Sequence, residues 1–124
     1  MPITIKTLPH TIDIYEATIV KQDDGSPKKI WTKRDEDHVC FIQPMVDLPS
    51  VENMRIDYNC DVYFADDPQV DVQEVEYKLV YLRPSGVFEV HEVRESINLC
   101  HLNRVWQIRT YFRVWKRLPE ELPP

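Results

Sequence analysis

Residues 55–64 carry the clearest hydrophobic rhythm of the chain: Ile56, Tyr58, Cys60, Val62 and Phe64 alternate with Arg55, Asp57, Asn59, Asp61 and Tyr63. A two-residue period predicts a β-strand with one buried face. The strand stops at Ala65, Asp66, Asp67 and Pro68, where two carboxylates favour a turn and the proline has no N–H to continue a ladder. The rhythm returns over residues 105–115, with Trp106, Ile108, Thr110, Phe112 and Val114 on one side and Gln107, Arg109, Tyr111 and Arg113 on the other. Residues 11–20 behave differently. Ile12 and Ile14 share one parity while Tyr15, Ala17 and Ile19 share the other, which predicts a bulged or coiled strand buried partly on both faces.

Turn chemistry divides the rest. Residues 22–27 read Gln-Asp-Asp-Gly-Ser-Pro, a hairpin tip in which Gly25 takes positive φ and Asp side chains bond nearby backbone. The returning strand begins near Ile30 and Trp31. A charged stretch over residues 33–37 precedes the apolar run 38–45, which Pro44 ends. Residues 45–54 are irregular and predict a loop, with Ser50 able to cap at most one helical turn. Residues 70–75 alternate weakly. Arg83, Pro84, Ser85 and Gly86 join two further strands, 77–82 and 87–94, and residues 95–103 read as a polar connection with room for one helical turn.

This spacing predicts an all-β fold: a barrel or sandwich, with a small closed or partly open β-barrel of about six strands favoured. Several strands have aromatic residues on both parities, so an open sheet would leave apolar edges free to pair with other chains. The organisation expected is an N-terminal arm over residues 1–10, a barrel with a short inter-strand insertion over 11–115, and an extended, proline-rich tail over 116–124.

Composition narrows the function. The 124 residues suit one domain with a real core. Two glycines against ten prolines leave few places for close phosphate approach. Fifteen basic and twenty-one acidic residues give a formal charge of −6, which argues against nucleic acid as a bound ligand. Cys40, Cys60 and Cys100 form an odd set with no close pair, so the expectation is a reducing compartment. The N-terminus lacks a signal-peptide pattern and no apolar stretch approaches the roughly 20 residues that cross a bilayer.

No catalytic motif stands out, and no cofactor is implied. His38, Cys40, Cys60, Cys100 and His101 are soft donors that could converge on zinc or form a Cys/His nucleophile pair, but isolated strand cysteines read better as buried small hydrophobes. Asp66 and Asp67, with Asp71 and Glu74, lack the ligand spacing of a calcium loop and read as a solvated turn, as do Asp23 and Asp24. Trp31 and Trp106 read as packing residues, and Trp115, at the edge of the last strand, as a candidate contact for a neighbouring subunit. Arg104, Arg109, Arg113, Lys116 and Arg117 are the one basic cluster in the sequence.

The order of these signals resembles a known family. An N-terminal strand, an Asp-Gly hairpin followed by Trp31, then Val39, Cys40, Phe41, Ile42, Gln43 and Pro44, a short insert, Asp61 to Phe64 with Asp66, Asp67 and Pro68, a hairpin ending in Phe88, Glu89 and Val90, and a final strand with Trp106 are similar to the head–tail stopper, or head-closure, proteins of long-tailed bacteriophages. The resemblance covers roughly residues 11–114. It implies a non-enzymatic structural protein of the virion neck, made in the host cytoplasm. Such proteins form a ring, usually of twelve identical subunits, that contacts portal or adaptor proteins, closes the DNA-filled head and receives the tail, including its terminator protein.

Genomic DNA would pass through that ring without sequence-specific binding. By the same resemblance the insert is the candidate channel loop, namely Asp47, Leu48, Pro49, Ser50, Val51, Glu52 and Asn53, with Asp47 and Glu52 toward the lumen. The insert departs from the family in being short and in containing Pro44 and Pro49, and a short loop would leave the gate to another ring protein. The candidate subunit interface comprises Asp23, Asp24, Asp66 and Asp67 on one side and Arg109, Arg113, Trp115, Lys116 and Arg117 on the other, since a ring needs two different faces to meet. The competing readings are a tail-terminator or tail-completion protein, which would pack helices on a sheet, and a small ligand-binding β-barrel, which would be hollow.

Overall fold

A computed structural model of the chain describes residues 9–44, 58–73, 75–98 and 105–124. Six strands, β1 (His10–Lys21), β2 (Pro27–Pro44), β3 (Tyr58–Phe64), β4 (Tyr77–Leu82), β5 (Phe88–Asn98) and β6 (Trp106–Trp115), form one antiparallel sheet. The sheet closes as a barrel in the order β1-β2-β3-β6-β5-β4. Closure brings β1 against β4, from Asp13 opposite Val80 to Glu16 opposite Tyr77, and β3 against β6, from Tyr58 opposite Phe112 to Phe64 opposite Trp106. The all-β barrel expected from the alternation is therefore the observed fold.

The alternation also sets what faces inward. Cys60, Val62 and Phe64 of β3 are buried, as are Ile108, Thr110 and Phe112 of β6, and they join Ile12, Ile14, Ile42 and Leu79 in the interior. Each fully buried aliphatic or aromatic side chain of this size contributes roughly 1.5–3 kcal/mol relative to exposure. Tyr15 is buried on the opposite face of β1, with Trp31, Val80, Val90 and Leu122, in a second cluster on the outside of the barrel wall. The double-sided burial read from the parity switch in β1 is what the structure has, with register shifts around Ile14 marking the irregularity.

The strand directions give the barrel two distinct ends. At one, the ribbon end, β1 turns into β2, β3 finishes and β6 begins. At the other, the Trp115 end, β4 turns into β5, β2 finishes at Pro44 and β6 finishes at Trp115. The connection 65–76 leaves β3 and reaches β4 on the far side of the ring, so it crosses the mouth at the ribbon end. Its Pro68 and Val70 are buried, and Arg34 of β2 donates to the carbonyls of Gln69 (2.6 Å) and Pro68.

Three expectations are corrected, and two segments that the pattern left open are settled. Residues 33–37 lie within β2, with Asp37 in the left-handed region (φ 52°) and its N–H bonded to the Asp13 carboxylate at 3.0 Å. The bulge lets the strand change direction there without ending. Residues 70–73 and 75 form no strand, because the segment is spent crossing the barrel mouth, with a turn from the Val75 N–H to the Asp71 carbonyl (3.3 Å). Residues 95–98 continue β5 past a bulge at Val93/Glu95, paired with β6. His10, placed in the arm, opens β1, and its Nδ1 accepts the Ile42 N–H at 3.1 Å. Residues 116–124 are not a free extended tail: a turn from the Leu122 N–H to the Pro119 carbonyl seats Leu122 in the outer cluster, and the Tyr15 hydroxyl donates to the Pro123 carbonyl at 2.5 Å.

Candidate assembly surfaces and a buried polar chain

Beyond Glu16 and Tyr77, β1 has no neighbour but β2, and before Phe41 β2 has no strand neighbour but β1 among the described residues. Residues 18–21 and 27–30 therefore stand out as a two-stranded ribbon with both faces in solvent. Ile19 is 71% exposed on it, and Val20 and Ile30 are exposed beside it. Asp23 and Asp24 form its tip. The Gly25 φ of 87° closes the turn, and Asp24 accepts from both the Ser26 N–H (2.9 Å) and hydroxyl (2.6 Å). The Ser26 hydroxyl, then its N–H, hold the Asp24 carboxyl below its ordinary value. Asp24 thus shapes the tip, while Asp23 is exposed there.

Asp66 and Asp67 lie at the same end. Asp67 accepts the Gln69 N–H at 2.8 Å, and Asp66 lies 3.4 Å from the His38 ring. Beside them the connection exposes Val72, which lines a groove of about 550 Å³ with Ile19, Val75 and Glu76. Lys29 reaches across from the ribbon to Glu76 at 2.7 Å.

The basic candidates lie along β6. Arg109 sits near its middle, 3.6 Å from Glu95 and 3.9 Å from Asp61, and is half exposed. Trp115 ends the strand at 41% exposure, opposite Phe88, and Lys116 and Arg117 follow in solvent. Arg113 and Trp115 line a groove of about 500 Å³ between the outer wall and the C-terminal segment, together with Arg94 and Lys78. Since β6 has ten residues, its ends lie about 30 Å apart. The acidic turns and the Trp115 face therefore occupy opposite ends of one subunit and cannot meet within it. Asp47, Leu48, Pro49, Ser50, Val51, Glu52 and Asn53 lie outside the described residues, and the residues that flank this insert, Pro44 and Tyr58, are at the Trp115 end; Cys100, His101 and Arg104 also lie outside the described residues.

Inside the barrel lies a chain of polar groups that the alternation did not reveal. His91 is fully buried, with Nε2 2.9 Å from Glu89 and Nδ1 2.9 Å from the Thr110 hydroxyl, and Glu89 also receives Arg83 Nε at 2.5 Å. Burial would raise the Glu89 carboxyl, but hydrogen bonds from His91 and Arg83 outweigh it and leave the group below its ordinary value. Burial lowers His91 more than Glu89 raises it, so the imidazole is neutral near pH 7. A neutral ring has one N–H, and the carboxylate can only accept; Nε2 therefore donates to Glu89, and Nδ1 accepts from Thr110. Glu89 and His91 share the inward parity of β5, where polar residues in a sequence look like a solvent face. Thr110, polar on the core side of β6, was the signal that a buried partner was needed.

The two described cysteines belong to the packed core. Cys40 and Cys60 are buried, and desolvation pushes both thiols up to about 12, which suppresses the thiolate that nucleophilic or metal chemistry uses. His38 faces Asp66 instead of joining them. Among the described residues, no group of three or more His, Cys, Asp or Glu side chains could hold a metal ion. No protein-family model matches the chain, and no curated protein matches it.

Proposed function

We propose that the chain is a structural subunit of a phage neck, a head–tail stopper that assembles into a ring around the DNA passage and offers a docking surface to the tail. The observation that carries this reading is the separation of two unlike exposed surfaces at opposite ends of a closed barrel. The order of strands and turns that resembles the stopper family supplies the specific assignment. The position of the β2–β3 connection supports it too, because that is where the family inserts its channel loop. A formal charge of −6 per copy, repeated around a ring, would repel DNA and let it pass.

Two observations weigh against the competing readings. The described residues contain no helix to pack on the sheet, as a tail terminator would have. Among the described residues, side chains such as Ile14, Val62, Phe64 and Ile108 occupy the barrel interior and are fully buried, which favours a packed core over a hollow ligand barrel.

Electron microscopy of phage necks that contain this protein tests the assignment. The expected result is density for the barrel in a ring between the portal assembly and the tail; density confined to the tail tube overturns it. Within particles, Asp47→Lys with Glu52→Lys should change DNA retention or ejection, and unchanged behaviour would remove those residues from the channel.

A further inference from the structure

The exposed large hydrophobic residues of the described chain fall into two groups. Ile19, Val20, Ile30 and Val72 lie at the ribbon end, and Leu82, Val114 and Trp115 at the other. At the second end the register aligns Leu82, Phe88 and Trp115 across three adjacent strands, so they form one cross-strand row on the outer wall. Scattered exposed apolar residues need no explanation, but their collection at two opposite poles, with an aligned row at one of them, does.

Their charged rims are unlike. Beside the ribbon the crossing connection carries Asp66, Asp67 and Asp71, all exposed, while the ribbon's own Asp23 and Asp24 are balanced by Lys21 and Lys28. Immediately after Trp115 come Lys116 and Arg117, also exposed. Two ribbon ends brought together would oppose acid to acid, and two Trp115 ends would oppose base to base. Only unlike ends pair apolar with apolar and acid with base.

We propose that the ribbon end of one copy of this chain docks on the Leu82–Phe88–Trp115 face of the next, a head-to-tail contact between identical subunits. Such a contact is heterologous: each copy uses one face for one neighbour and the other face for a second, and it generates a ring if the rotation closes. A two-stranded ribbon is marginal alone, and packing one of its faces on a neighbour gives it the missing layer. The contact deepens the neck-ring reading, on which it rests for its setting, and makes Ile19 and Trp115 opposite halves of one interface.

Complementation of two blocked variants is the test. Ile19→Asp spoils the ribbon and leaves the Trp115 face intact; Trp115→Asp does the reverse. Sedimentation velocity of the unaltered chain, up to millimolar concentration, should show concentration-dependent association. Each variant alone should associate roughly tenfold or more weakly. Their equimolar mixture should recover one contact and form a heterodimer that grows no further. Circular dichroism checks that each variant is folded, and Val20→Asp with Leu82→Asp replace the pair if either is not. An unaltered chain that stays monomeric at millimolar concentration overturns the proposal, as does a mixture in which no heterodimer forms. Neither result bears on neck placement, which electron microscopy decides separately; a chain that complements in solution but is absent from the neck would instead overturn the neck reading.

Discussion

Three isoleucines of β1 separate two regions of the molecule. Ile12 and Ile14 are sealed in the barrel, whereas Ile19, on the same strand, is 71% exposed on the ribbon. Strand propensity is the same at all three. The difference is what lies around them: Ile14 has strands on both sides and Ile12, just before that stretch, packs into the same core, while residues 18–21 have β2 as their one strand neighbour. Apolar character thus secures the fold in one half of the strand, and in the other it remains available for a contact outside the subunit.

Substitution should break this symmetry of composition most sharply. Ile14→Ala is expected to cost about 4 kcal/mol in chemical denaturation, from lost transfer energy plus a cavity. Ile19→Ala should stay within about 0.5 kcal/mol, as exposed sites do. An equal loss at both positions would mean that the ribbon is packed within the isolated subunit. Glu89→Ala comes next, at about 3 kcal/mol, because it leaves His91 and Arg83 without their shared acceptor in the barrel. Leu122→Ala should cost about 2 kcal/mol if the C-terminal segment belongs to the folded unit, and almost nothing if it were a loose tail.

The smallest effect is in pH. His91 is lowered from 6.5 and Glu89 from 4.5, so for both groups the unfolded chain binds protons more readily than the folded one. Their contributions are present above those values and are lost on acidification. Stability should be flat between about pH 6.5 and about pH 8, fall below that range as the unfolded-state histidine protonates, and fall further below about 4.5 as the unfolded-state glutamate does, each by at most about 1.4 kcal/mol per pH unit. His10, lowered by burial, adds to the first step. His91→Gln should shrink the step below pH 6.5 and spare the lower one, measured by urea denaturation across pH; an unchanged first step would place its origin elsewhere.

How much of this was legible follows from where each residue's neighbours come from. Cys60, Val62 and Phe64 could be read because their burial alternates within one strand, and the Asp24–Gly25 tip because its geometry is local. The seat of Leu122 depends on β1, β2, β4 and β5 together, and a segment rich in proline and charge gives no periodic sign of it. The course of residues 33–37 was left open for another reason. Lys33 and Arg34 give no apolar rhythm, yet they belong to a strand with one strand neighbour and reach to Asp13 and to the carbonyls of Pro68 and Gln69. Of the candidate surfaces, the residues were legible and their placement was not: nothing in the sequence said that the acidic turns and Trp115 lie at opposite poles, because that follows from the β3–β6 pairing.

The bond from Tyr15 to the Pro123 carbonyl spans 108 positions of the chain. While the polypeptide is being synthesised, the outer face of β1 is therefore among the last parts of this domain to be covered. The barrel wall can close earlier, once β6 has emerged, but Tyr15 gains its full cover only when residues 118–123 have followed. Until then the closed barrel presents an aromatic surface that the folded domain conceals.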